Sequence, residues 1–162
     1  MPTTHPEMTL RMTPASAAHF RNLIDMTGAL VVGRKLFDST NAWGGNHPMG
    51  RPVAVVTHSV PEGWPREDAP FTFVGEGVER AVEEAKALAG GKAVGVNAGT
   101  IASQCLDAGL LDEVWIDVAP VLLGGGTRFF DHLEVAPVEL EGPVSVVEGT
   151  GVTHLRYRVR NR

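Results

Sequence analysis

Three short stretches of this chain carry residues suited to holding an anion. Gly33-Arg34-Lys35 closes the apolar run 29–32, and Thr57-His58-Ser59 ends the run 52–57. Asn97-Ala98-Gly99-Thr100 closes the run 93–96 and leads into a helix-like segment, 101–108, that begins at Ile101 and stops at Gly109. A turn of this kind aims the unpaired N–H groups of a helix start beyond the preceding strand, where they and the helix dipole favour a phosphate. Gly33 permits close backbone approach, and the two cations after it suit an anion. Spacing alone fits an ordinary strand–helix turn equally well.

Other chemistry is thinner. The stretch 28–35, GALVVGRK, has the glycine spacing of a phosphate-binding P-loop but lacks the Lys-Ser/Thr ending, and residues 29–32 are β-rich. A P-loop is rejected. The loop 41–51, NAWGGNHPMGR, holds Trp43 and His47. Trp43 either stacks on a ligand ring or plugs the loop onto the core, and nothing nearby would orient His47 as a base. Cys105, the one cysteine, rules out an intrachain disulfide and a cysteine metal cluster. Among Ile101, Ala102 and Leu106 it reads as a buried small hydrophobe. The six histidines are scattered without metal-ligand spacing, so no metal is expected. No G-x-S-x-G elbow occurs.

The elements that must position these residues follow from periodicity. Thr13 is a plausible cap with Pro14 at the first helical position, and Ala17, Phe20, Leu23 and Ile24 recur at helical spacing until Gly28. Residues 71–74 read as a strand. The clearest helix is 76–89, with Val78, Val82 and Ala85 on one face, an Arg80–Glu84 pair on the other, and Gly90-Gly91 as its stop. From Lys92 to Phe130, strand, turn, helix and a second strand over 114–119 suggest a βαβ unit. Residues 143–148 and 152–159 flank Gly149-Thr150-Gly151 as a hairpin. In it Thr153, Leu155, Tyr157 and Val159 read as the buried face, and His154, Arg156 and Arg158 as the wet one.

The sum is α/β: a mixed, mainly parallel sheet with helices on both faces and an antiparallel C-terminal hairpin. Ligands bind beyond the carboxyl ends of strands in such sheets. All three anion-suited stretches lie at such ends, and that convergence outweighs any one of them.

A chain of 162 residues suits one domain, expected over 14–162, after a tail or poor edge strand over 1–13. The net charge of −5 provides no basic field for a nucleic acid backbone, so nucleic acid is excluded as a partner. No apolar run reaches transmembrane length and no secretory signal is visible, so a cytoplasmic protein is expected.

The segments GALVVGRKLFD (28–38), PVAVVTHS (52–59), 97–130 and VTHLRYRV (152–159) resemble the dihydrofolate reductase-like superfamily. They are most similar to the C-terminal reductase domain of bacterial riboflavin-biosynthesis deaminase-reductases. The resemblance implies a three-layer sandwich and an NADPH-dependent reductase passing hydride to a small pterin- or aminopyrimidine-like heterocycle, often as a homodimer. It implies that Gly33, Arg34 and Lys35 approach the cofactor phosphates. Thr57 and His58 would then lie near the adenosine ribose and its 2′-phosphate, and Asn97, Ala98, Gly99, Thr100 and Ile101 would hold the diphosphate. Trp43, Leu122, Leu123 and Gly124 fall on the substrate side. No proton donor is placed by motif. The family begins with a strand and a Ser-Leu-Asp-Gly-type turn that has no counterpart here. A non-catalytic nucleotide-binding or truncated relative is therefore the alternative reading.

Overall fold

The computed structural model describes residues 12–160. The tail or edge strand expected over 1–13 lies outside them, apart from Met12 and Thr13. The chain divides into two compact units.

The larger unit, Ile24–Leu111 with Thr127–Ala136, is built on four parallel strands: β1 (Thr27–Gly33), β2 (Val53–Val56), β3 (Phe71–Val74) and β4 (Ala93–Val96). Their order is β3-β2-β1-β4. β1 is buried along its length up to Gly33, as expected of a parallel strand covered on both faces. On one face Ala29, Val31, Ala54 and Val74 pack with α3 (Val78–Leu88) and with Cys105 of α4 (Thr100–Asp107). On the other, Leu30, Val32, Val53, Val55 and Phe71 pack with Phe37 of α2 (Arg34–Ser39).

α3 buries Val78, Ala81, Val82 and Ala85, the stripe its spacing requires. Arg80 pairs with Glu83 and Glu84 on its outer face. Gly90 and Gly91 end it in the left-handed region, at φ 60° and 81°. Gly28 has a different role from the helix stop expected of it, because it lies inside β1. A Cβ there would overlap the Ala89 carbonyl, so this glycine admits the end of α3 against the sheet.

In the smaller unit, α1 (Pro14–Met26) contributes its residues up to Leu23. It starts as read: the Ser16 N–H donates to Thr13 Oγ1 at 3.2 Å, with Pro14 first in the helix. β5 (Glu113–Val118), β6 (Leu140–Gly149) and β7 (Val152–Val159) form an antiparallel sheet ordered β5-β7-β6. The β6–β7 hairpin is the expected one, with Gly151 at φ 73° in its turn.

Two expectations need correction. β4, α4 and β5 do not form a βαβ unit in one sheet, because β5 pairs antiparallel with β7 from Glu113↔Arg158 to Val118↔Thr153. A strand–helix–strand pattern encodes the elements but not the partner of the second strand. The wet face of β7 is also misread: His154 is its most buried residue, at 2% exposure. Part of α1 covers that face, with Phe20 edge-on to the His154 ring.

Among the described residues no helix is long and apolar enough to cross a membrane.

Candidate functional site

The parallel sheet brings three expected stretches to one edge. Gly33 is the last residue of β1 and stands in register with Val56, the last of β2. Val31 of β1 pairs with Val96, the last of β4, and its carbonyl accepts the Asn97 N–H at 3.2 Å. Gly33-Arg34-Lys35, Thr57-His58 and Asn97–Ile101 therefore follow the carboxyl ends of three adjacent strands.

The local geometry leaves donors open there. Gly99, at φ 97°, turns the chain into α4, and no side chain caps that helix. The Gly99 N–H donates to the Phe129 carbonyl at 2.8 Å, whereas the Thr100, Ile101 and Ala102 N–H groups have no hydrogen bond among the described residues. These are the orphan donors of a helix start. α2 likewise begins at Gly33 without a side-chain cap. The two helix starts lie close together, since a Cβ on Gly33 would stand 2.9 Å from Ile101 Cγ1. Glycine thus lets the two helix starts approach, with open N–H groups that suit an anion.

Arg34 is not a free cation. Its Nε donates to both carboxylate oxygens of Asp38 at 2.8 Å. Its Nη1 reaches Thr57 Oγ1 at 3.4 Å and the Ser59 carbonyl at 3.0 Å. Thr57 Oγ1 in turn donates to that carbonyl at 2.8 Å. Lys35 and His58 are exposed, and their side chains have no partner among the described residues. Arg128, in the segment that meets Gly99, is paired with Asp131 at 3.2 Å.

The residues expected on the substrate side fall in both units. Trp43 plugs its loop onto the core, stacked on Phe71 with ring centres 6.4 Å apart. Asn41, Ala42 and Trp43 all take left-handed φ near 50°, a costly run held by burial of Ala42. His47 accepts the Met49 N–H through Nδ1, and burial lowers its pKa. Leu122, Leu123 and Gly124 belong to the smaller unit, with both leucines exposed. Cys105 is fully buried, and burial pushes its thiol pKa up to about 11, with Glu79 adding to the shift. It is no nucleophile.

The smaller unit holds a polar cluster that sequence reading missed. His154 Nδ1 lies 2.7 Å from Asp117 Oδ1, and its Nε2 lies 2.9 Å from Ser16 Oγ. His19 stacks on His154 with ring centres 4.3 Å apart and planes 20° from parallel. Ligand-type atoms of His19, Asp117 and His154 all lie within 4.8 Å of one another. Rings stacked in this way cannot both present an in-plane nitrogen lone pair to one ion, so the cluster works as a hydrogen-bond network. Beside it a cleft of about 350 Å³ is lined by His19, Asn22, Trp115, Ser145, His154 and Arg156. The only sequence signal was His154 alternating with apolar residues. Its contacts come from Ser16, 138 positions away, and Asp117, 37 away.

The family model of the RibD C-terminal domain matches residues 3–152. A crystal structure from Shewanella sp. PV-4, described as a riboflavin biosynthesis protein, is 27% identical with a TM-score of 0.68. That match covers 88% of this chain and 79% of the other. Dihydrofolate reductase from Enterococcus faecalis, solved with NADP(H) and RAB-propyl, is 16% identical with a TM-score of 0.56, covering 90% and 83% of the two chains. A Thermotoga maritima diaminohydroxyphosphoribosylaminopyrimidine deaminase/5-amino-6-(5-phosphoribosylamino)uracil reductase is 15% identical with a TM-score of 0.63. The match covers 91% of this chain but only 50% of that one. No curated protein sequence matches the chain. The fold is dihydrofolate reductase-like, and the chain belongs to the RibD C-terminal domain family.

Proposed function

We propose that this chain is an NADPH-dependent reductase that delivers hydride to a small pterin- or aminopyrimidine-like heterocycle. The observation that carries the reading is the convergence of Gly33-Arg34-Lys35, Thr57-His58 and the uncapped α4 start at one edge of the parallel sheet. Family membership adds a reductase-like role. The riboflavin-biosynthesis reaction of relatives is the first chemistry to test.

The cofactor would supply the hydride. The Thr100, Ile101 and Ala102 N–H groups would hold its diphosphate, and Gly33 would keep the approach open. Lys35 and His58 would meet further negative charge. The reading implies a cytoplasmic protein and a homodimer. β6 supports self-association, because among the described residues it is an edge strand exposing Leu140, Val144 and Val146. Light scattering of the purified protein checks the oligomeric state.

The test is titration with NADPH and NADH, followed by fluorescence and melting temperature. Candidate pterins and aminopyrimidines are then added while absorbance of the reduced cofactor is recorded. Tight NADPH binding with substrate-dependent oxidation is the expected result. Binding without turnover of any substrate would favour a nucleotide-binding relative that performs no reduction. Binding of neither cofactor would remove both readings.

A further inference from the structure

Residues Thr127–Ala136 form no helix or strand, yet they belong to the larger unit and run along α4 as a strap. Their backbone is fastened to one face of that helix, at positions four residues apart. The Phe129 carbonyl accepts the Gly99 N–H at 2.8 Å, and the Asp131 N–H donates to Ser103 Oγ at 2.9 Å. The Glu134 and Val135 N–H groups both donate to Asp107 Oδ1, at 3.0 and 3.1 Å. The Gly99 carbonyl in turn accepts the Ser103 N–H at 3.0 Å and its hydroxyl at 3.2 Å. Gly99 is therefore held through both of its backbone groups.

Ser103 and Asp107 are poor helix residues on local grounds. A serine hydroxyl competes with the helical backbone for hydrogen bonds, and a carboxylate in the last turn meets the negative end of the helix dipole. Their partners lie in the strap. The place where the strap is fastened gives it a consequence. Gly99 has φ 97° and ψ −151°, a conformation nearly confined to glycine, and the Thr100, Ile101 and Ala102 N–H groups that follow it are the open donors. An anion needs those donors aimed together, and a glycine turn has the most backbone freedom to lose when they are. Fastening Gly99 beforehand removes that cost from binding.

We propose that the strap 127–136 preorganises the start of α4 for its anionic ligand, with Ser103 and Asp107 as positioning residues that act through the strap without touching the ligand. The proposal rests on the cofactor reading above. Coupling between two binding events is reciprocal. If the fastened strap favours the dinucleotide, the dinucleotide must tighten the strap.

The test combines NADPH dissociation constants with amide hydrogen exchange. Ser103→Ala and Asp107→Ala should each weaken NADPH by about fivefold, the lower end of such couplings. Both substitutions favour the helix itself, so a loss of affinity cannot come from a weaker α4. Asp107→Asn keeps an acceptor oxygen and should restore most of the affinity. In the wild-type protein, saturating NADPH should slow exchange of the Asp131, Glu134 and Val135 amides several-fold. Unchanged exchange, or unchanged affinity in both alanine variants, would overturn the proposal while leaving the dinucleotide site standing. Tighter binding in the alanine variants would also overturn it, by showing that the Phe129 carbonyl competes with the ligand for the Gly99 N–H. A wild-type protein that binds no NADPH would remove the cofactor reading, and this inference with it.

Discussion

His154 Nδ1 lies 2.7 Å from Asp117 Oδ1, on the face of the β5–β7–β6 sheet that part of α1 covers. His154 is almost wholly buried, and its other nitrogen is matched by Ser16 Oγ. A buried polar group is tolerated when its partners are present and costly when they are removed.

His154→Ala is therefore expected to destabilise the chain by roughly 3 kcal/mol, since it leaves a cavity and removes both hydrogen bonds of the ring. Asp117→Asn keeps the shape and an acceptor and should cost about 1 kcal/mol. Urea denaturation midpoints at neutral pH measure both. Equal effects from the two variants would mean that the network, and not packing, accounts for the loss.

Acid should act on the same unit in two separate windows. Burial lowers the His19 pKa, the His154 ring adds to the shift, and Asp117 opposes it. The folded state then binds a proton less readily than the unfolded chain, so stability falls as pH drops below about 6.5. His19→Gln should flatten that first decline. The Glu113 carboxyl is held low chiefly by its hydrogen bond from Arg156, with Trp115 helping and burial opposing. Its contribution is present above the unfolded value of about 4.3 and is lost as pH falls through the lower folded value. Melting temperature against pH should show both steps, with the second absent in Glu113→Gln.

Cys105 should be silent in the native state. With its pKa raised to about 11 and its side chain buried, almost no accessible thiolate exists near pH 8. A disulfide reagent should label it at the rate of unfolding, rising steeply with urea. Fast labelling of native protein would mean that the packing of α4 against the sheet opens readily. The same raised pKa makes alkali destabilising, because the unfolded thiol ionises first as pH climbs towards 11.

Much of this architecture was legible from local pattern. The runs at 71–74 and 93–96 are strands with the expected limits, and Thr13-Pro14 starts α1 as its residue types require. These features depend on periodicity and capping, which act over a few residues. What escaped was set by distant partners. β5 joins β7 rather than β4, and His154 is buried by residues of α1 and β5. Gly28 looked like a helix stop because its true neighbour, Ala89, is far along the chain. At the sheet edge the residue types were readable, but the capture of Arg34 by Asp38, Thr57 and Ser59 was not. It needs α2 to start at once after β1 and the turn after β2 to lie beside it.

The closeness of Gly33 to Ile101 gives the sharpest test of the sheet edge. A methyl group on Gly33 would stand 2.9 Å from Ile101 Cγ1, a side-chain methylene and not backbone. Gly33→Ala should then displace Ile101 and the start of α4, where the open N–H groups lie. Its stability cost should be modest, about 1–2 kcal/mol, because the contact yields more easily than a backbone clash. Binding of a dinucleotide should fall further than stability does. Ile101→Val removes Cδ1 but keeps the contacting Cγ1, whereas Ile101→Ala removes both, so Ile101→Ala in the Gly33→Ala background should restore part of the affinity that Ile101→Val leaves lost. A double-mutant cycle on NADPH dissociation constants measures this coupling. Strict additivity of Gly33→Ala and Ile101→Ala would separate the two helix starts energetically and remove their close approach as the shared feature of the site.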